Sequence, residues 1–269
     1  MKKGKYIFLI FLFFFILVAA TIVAFIYSEF RRPPDVRTNS YLEIELLGPL
    51  PEFSAPDFLT SLLLGPRPLS VHDLWMNFRK AKVDRRIRCI LLRLGYLECD
   101  WAKISEIREA ILDFRESGKK VYGYIEEAPD GDKEYYLATA CDRIILHPLG
   151  WLGVNGIGGW VPFFKSGLDK LGVEAEYEQV EEFKTAAHMF TEKGLTEAHR
   201  TELEAVYEDI FGEYVRTIAA ARKKTEEEIR TIIDRGLFQG ESALDSGLVD
   251  DLLYEDEVGK LLREEGRGL

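Results

Sequence analysis

The sequence predicts an α/β domain with a mainly parallel sheet, carried behind one N-terminal transmembrane helix. Three observations predict it. No charged residue occurs from Tyr6 to Ser28, and Ile, Leu, Phe, Val and Ala fill nearly all of that run. From Tyr41 to Leu146, short strand-like segments alternate with segments of helical period, the pattern of strands joined by helical crossovers. Glycine and proline punctuate the joints between them. Residues 1–34 form a cytoplasmic stub, an anchor and its exit, 35–70 a strand and a membrane-proximal loop, and 71–269 the α/β domain.

At about 1.5 Å per residue the apolar run crosses a hydrocarbon core of about 30 Å. A cleaved signal peptide is the competing reading, but its apolar region is usually only about 7–15 residues long. Ala19 and Ala20 moreover sit inside the run and not after it. An uncleaved anchor through residues 6–28 is favoured. Lys2, Lys3 and Lys5 precede it, whereas Glu29 partly offsets Arg31 and Arg32 behind it, so the N-terminus is expected in the cytoplasm and the remainder outside it. Pro33-Pro34 makes a short, stiff exit.

Tyr41 to Leu47 alternates apolar and acidic side chains, the period of a half-buried strand, and Pro49 and Pro51 end it. Residues 52–69 combine four Pro or Gly with Leu and Phe and read as a mobile loop that could rest on lipid or a partner. Val71 to Lys82 reads as a helix and Ile87 to Leu94 as a buried strand. Asp100 is placed to cap the next helix, whose Ile104, Ile107, Ile111 and Phe114 recur every three or four residues, and Gly118 is placed to close it. Lys120 to Ile125 is a strand, Pro129 to Gly131 a turn, Tyr135 to Ala140 a helix and Arg143 to Leu146 a strand.

Five glycines fall between Gly150 and Gly159, either as a tight or flexible connection or for close backbone approach to a ligand. The register is not that of a dinucleotide or phosphate loop, and no cofactor is expected. A helix to about Leu171, a strand over Val173 to Val180, and then Lys184 follow. The helix from Thr196 to Arg222 bears Leu203, Val206, Tyr207, Ile210, Phe211, Tyr214, Val215 and Ile218 on one stripe, for the core or a subunit contact. Beyond it lie a charged helix at Lys223 to Asp234, a turn at Gly236 to Gly240, and a short helix and strand from Ser242 to Val249.

The net charge of −11 argues against nucleic acid as a partner, since phosphate binding needs a basic face. Cys89, Cys99 and Cys141 lack the spacing of a zinc knuckle or a disulfide framework, and the first and last read as core residues. His72, His147, His188 and His199 show no HxH or HExxH arrangement, so no metal site is expected.

Val71 to Trp75 with Asp84 to Leu94, Ser117 to Tyr122, Tyr135 to Pro148, Leu168 to Val173, Phe183 to Ala186 and Gly240 to Asp250 together resemble, in family order, the signal peptide peptidase A family of membrane-anchored serine peptidases. The resemblance implies a ClpP/crotonase-like fold and a Ser/Lys dyad. Phe183-Lys184-Thr185-Ala186 is similar to the family's general-base motif, which makes Lys184 the candidate base. A buried amine with few counter-charges loses proton affinity and can then take a serine proton, provided Glu181 and Glu182 point away. The family's nucleophile lies in a Gly-Ser-Ile-Gly-like turn, but residues 148–159 contain no Ser, Thr or Cys, and Val154 falls at its place. The family's Ser-Pro-Gly-Gly-like oxyanion turn is replaced by Gly95-Tyr-Leu-Glu-Cys-Asp100.

A lysine without its serine resembles the N-terminal half of the family's long tandem-domain form, with residues 255–269 leading into the other half. The expected function is therefore a membrane-anchored endopeptidase acting on remnant signal peptides or other apolar peptides, completed by a serine-bearing domain or subunit. A homo-oligomer is expected, because these folds stack into rings. The alternative is a non-catalytic membrane scaffold or peptide-binding pseudopeptidase. Acyl-CoA chemistry is disfavoured by the outward topology and the lost oxyanion turn.

Overall fold

A strand or helix survives in water only where its apolar side chains find cover, and the two units of this chain meet that demand in different ways. The computed structural model describes residues 2–30, 36–54, 68–178, 181 and 183–265. The Pro33-Pro34 exit, the bulk of the expected loop (55–67), Val180, Glu182 and the last residues of the tail lie outside the described residues. The chain divides into Met1–Thr38 and Asn39–Leu269.

In the first unit, α1 runs Lys2–Phe30. Every described side chain from Tyr6 to Phe25 is exposed, an apolar surface that water does not tolerate but lipid does. The Thr21 hydroxyl donates to the Leu17 carbonyl at 2.8 Å, so this polar side chain is satisfied within the helix. Among the described residues α1 is the one helix long and apolar enough to cross a membrane, a property that an anchor and a signal sequence share.

The second unit is mixed α/β. Its elements are β1 (Ser40–Pro49), α2 (Val71–Val83), β2 (Ile87–Glu98), α3 (Trp101–Arg115), β3 (Lys120–Ile125), α4 (Asp132–Ala138), β4 (Arg143–Leu146), β5 (Trp151–Val154), α5 (Lys165–Lys170), a 3₁₀ turn at Thr185–Ala187, α6 (His188–Thr191), α7 (Glu197–Arg222), α8 (Glu226–Arg235), β6 (Gly236–Gln239), α9 (Gly240–Asp245), β7 (Asp251–Leu252) and α10 (Glu255–Glu265). The main sheet has the order β1-β2-β3-β4-β7 with every pairing parallel. Ile44 and Leu46 of β1 face inward and Glu43 and Glu45 outward, as the alternation predicts.

Both faces of the central strands are covered, which is why β2 reads as a continuous apolar run. On one face Cys89, Leu91, Tyr122, Tyr124 and Ile145 meet Val258 and Leu262 of α10. On the other, α2 and α3 pack with the Phe78 and Phe114 rings 6.1 Å apart, over the fully buried Ile90, Leu92 and Val121. Ser70 and Asp73 close a capping box that starts α2. Helix α3 begins after Asp100 as expected, although the Asp100 side chain makes no capping bond, and Gly118 takes the left-handed φ of +79° that ends the segment.

Several local expectations are corrected. Residues 173–178 form no strand: their side chains are mostly exposed and, among the described residues, no strand pairs with the Val/Ala/Tyr alternation. Trp151–Val154 within the glycine-rich stretch and the turn expected at Gly236 are instead the antiparallel pair β5 and β6, with Val154 opposite Gly236. Gly153 is needed there because a Cβ would collide with the Pro129 carbonyl. β2 continues to Glu98 through a β-bulge against β1, so Gly95 is strand and not turn. α4 starts earlier, at Asp132. Lys223, at φ +54°, caps α7, so α8 starts at Glu226 behind the Thr225–Glu228 capping box. The last strand is at Asp251, beyond Val249.

Candidate active site

Lys184 stands at the start of the 3₁₀ turn, and its own N–H donates to the Glu181 carbonyl at 3.3 Å. Glu181 has a φ of +74°, a conformation that costs a non-glycine residue about 1 kcal/mol and tightens the bend before the lysine. Residues beyond Lys184 are held firmly. Thr185 is buried, and its hydroxyl donates to the Glu202 carboxylate of α7 at 2.8 Å. His188 is buried with its ring 5.7 Å from that of His199, and its Nδ1 is 3.3 Å from the hydroxyl of Thr196, the residue that caps α7. The Phe164 N–H donates to the Met189 carbonyl at 2.7 Å, and the Phe164 and Phe190 rings stack.

The lysine itself is not held in this way. Lys184 and Phe183 are both exposed. This corrects the expectation of a buried amine: the described residues build a fixed platform beneath Lys184 and no wall around it. The sequence could not show this, because exposure depends on which segments pack around Lys184, and residues 173–178 of the strand expected ahead of it form none.

The place assigned to the nucleophile is closed. Val154 is fully buried in the β5–β6 pair. Two residues on, the Gly156 N–H donates to Asp132 Oδ1 at 3.1 Å, and the same oxygen accepts the Tyr214 hydroxyl. Burial pushes the Asp132 carboxyl above its ordinary range, against the pull of the Tyr214, Gly156 and Asn155 donors. The Tyr214 hydroxyl is likewise raised, chiefly by burial and next by the Asp132 charge. Farther along, the Tyr207 hydroxyl fills the space where a Cβ of Gly159 would sit. The glycine turn thus leans on Tyr207 and the lysine segment on Glu202, about 7.5 Å apart along the α7 axis at 1.5 Å per residue.

The place assigned to the oxyanion turn is also engaged from within. The Leu97 N–H at the end of β2 donates to Glu134 at 2.6 Å, and Glu134 is 2% exposed. Burial raises its carboxyl too. Asp132 and Glu134 escaped sequence reasoning. The only signal was two acids in the first turn after Pro129-Asp-Gly131, which ordinarily mark a favourable helix N-terminus. No thiol offers itself as a nucleophile. All three cysteines are buried, and desolvation pushes Cys141 up to about 12 and raises Cys99. Among the described residues no group of three or more His, Cys, Asp or Glu could hold a metal ion.

A family profile described as Peptidase family S49 matches residues 113–268. Serine protease SPPA, chloroplastic, of Arabidopsis thaliana is 30% identical over 229 residues, which is 85% of this chain and 32% of that protein. Protease 4 of Salmonella typhi is 30% identical over 205 residues, 73% of this chain and 33% of that protein. Protease 4 of Haemophilus influenzae is 26% identical over 206 residues, with the same shares. The chain spans about a third of the length of these curated relatives.

Proposed function

The chain belongs to peptidase family S49, the family of signal peptide peptidase A, and from that membership we propose that it is the anchor- and lysine-bearing part of a membrane-bound serine endopeptidase. On this reading the second unit has a ClpP/crotonase-like fold, and Lys184 is the general base of a Ser/Lys dyad whose serine comes from another domain or subunit. The substrates are remnant signal peptides or other apolar peptides presented near the bilayer. Helix α1 is the anchor, with its N-terminus in the cytoplasm and the folded unit outside. The half-buried Leu203, Tyr207, Ile210 and Phe211 of α7 suit assembly with further copies.

One observation carries the reading: Lys184 projects from a segment whose neighbours Thr185, Ala187 and His188 are buried, while the Val154 position holds no nucleophile and no access. The base is thus presented outward, where an incoming serine can meet it. Docking of the serine-bearing partner would enclose the amine, and desolvation disfavours an ammonium, so the neutral form that accepts protons is favoured on assembly. The neutral amine then takes the hydroxyl proton as the serine oxygen bonds to the scissile carbonyl carbon. The ammonium returns that proton to the departing amine as the C–N bond breaks. Water, deprotonated in turn by Lys184, cleaves the resulting ester and restores the serine.

The test is Lys184→Ala in the assembly reconstituted with its serine-bearing part. Activity should fall by roughly 10²–10⁴-fold, and Lys184→Arg should not restore it because a guanidinium stays protonated. Undiminished peptidase activity in Lys184→Ala would sink the proposal. The chain by itself should not react with a fluorophosphonate probe. A second reading, a peptide-binding scaffold without catalysis, is favoured by the engagement of the Leu97 N–H with Glu134. It predicts that the assembly binds apolar peptides equally well with either residue at position 184.

A further inference from the structure

The two carboxylates of the first turn of α4 stand out because, among the described residues, no ion pair within 4 Å holds either of them, and each instead grips backbone. Residues two apart on a helix project about 200° from one another, so Asp132 and Glu134 reach in different directions from one short element. Glu134 takes the Leu97 N–H at the end of β2, and Asp132 takes the Gly156 N–H beyond β5 together with the Tyr214 hydroxyl. Their exposures are 2% and 7%. Burying a carboxylate is costly, and a hydroxyl or amide would hold one N–H more cheaply. A charged oxygen, however, binds an N–H roughly twice as strongly as a neutral carbonyl does.

We propose that Asp132 and Glu134 are positioning residues that act as internal anions: they occupy the backbone donors of two segments, the end of β2 and the stretch after β5, where an acyl-transfer site would need them. The two segments are thereby locked into a rigid platform, and the Leu97 and Gly156 donors are withheld from any substrate carbonyl. Only the relation of those segments to such a site rests on the family reading above; the grip itself rests on the contacts. The platform also reaches the lysine segment, since the Gly156–Gly159 turn and the Thr185–His188 segment share α7 as their support.

The test uses the full chain in detergent micelles. Glu134→Ala should lower Tm by roughly 4–8 °C and speed hydrogen exchange of the Leu97 amide at least about tenfold while distant amides keep their protection. Formate or acetate should recover at least half of the lost Tm, and chloride at equal ionic strength should not, because the vacated place fits a small carboxylate. Asp132→Ala should act in the same way on the Gly156 amide. Should an alanine variant fail to fold, Glu134→Gln keeps the volume and one acceptor oxygen, and its Leu97 amide should exchange roughly tenfold faster than the parent's. Equal recovery by chloride, or Leu97 exchange unchanged in Glu134→Gln, overturns the proposal. None of these readouts uses peptidase activity, so loss of the clasp leaves the Lys184 assignment standing, and loss of that assignment leaves the clasp.

Discussion

Replacing Val154 by serine restores, on paper, the hydroxyl that family resemblance places there. The structure says it will not restore a nucleophile. The Val154 side chain is 0% exposed within the β5–β6 pair, with Gly236 directly opposite. Val154→Ser removes two buried methyl groups, a loss of roughly 1.5 kcal/mol at about 0.8 kcal/mol per carbon. The new hydroxyl adds roughly 1–3 kcal/mol wherever it finds no acceptor. The sum, about 2.5–4.5 kcal/mol, corresponds to a fall in Tm of roughly 5–15 °C for a unit of this size. The assay is a thermal melt by tryptophan fluorescence alongside fluorophosphonate labelling and mass mapping of the folded variant. The expected result is a lower Tm and no label at position 154. Label mapped to position 154 in a Val154→Ser variant of unchanged Tm would show that the side chain reaches a reactive surface, and the argument for a missing nucleophile would collapse.

Two further outcomes follow from the packing and the charges. Leu262→Ala removes one of the two α10 side chains buried against Cys89, Leu91 and Tyr122, and should cost roughly 2–3 kcal/mol. That is the low end of the range for such truncations, because α10 can settle onto the sheet, and a Tm measurement with limited proteolysis at residues 255–265 checks it. For pH, Arg86 holds the Asp84 carboxyl down at about 2, from an ordinary 3.8, mainly through its side-chain bonds. Asp250 is also lowered: burial raises it, but Arg222 and the Ile144 N–H together outweigh burial. Depressed carboxylates stabilise the fold above their unfolded values, and that share is lost as pH falls from about 4 towards 2. Asp132 and Glu134 are raised and contribute with the opposite sign. Acid melts should therefore show stability falling through this window, and Asp84→Asn should flatten the fall; an identical slope in the variant refutes the assignment.

Much of the fold was legible because it rests on local rules. The alternation in β1, the apolar run of β2, the helical spacing of Ile104, Ile107, Ile111 and Phe114, and the glycine at 118 each report a nearby constraint, and each element lies where it was expected. The failures are non-local. Residues 173–178 have strand composition but no strand partner among the described residues, whereas 151–154 and 236–239 look like turns yet form a ladder across more than eighty residues of chain. A strand is a property of a pair, and propensity cannot say whether the pair exists.

The candidate site divides along the same line. By itself the sequence determined the apolar helix, the α/β class with its parallel strands and the lack of a hydroxyl or thiol in residues 148–159, because these depend on residue identity, period and order along the chain, whereas Lys184 is singled out as the candidate base by the family resemblance. Tertiary structure alone decided that Lys184 is exposed, that Val154 is buried within the β5–β6 pair, and that Asp132 and Glu134 grip the backbone at Gly156 and at Leu97 in β2. Burial and hydrogen-bond partnership are relations between segments far apart in sequence, and they exist only once the chain has closed around them.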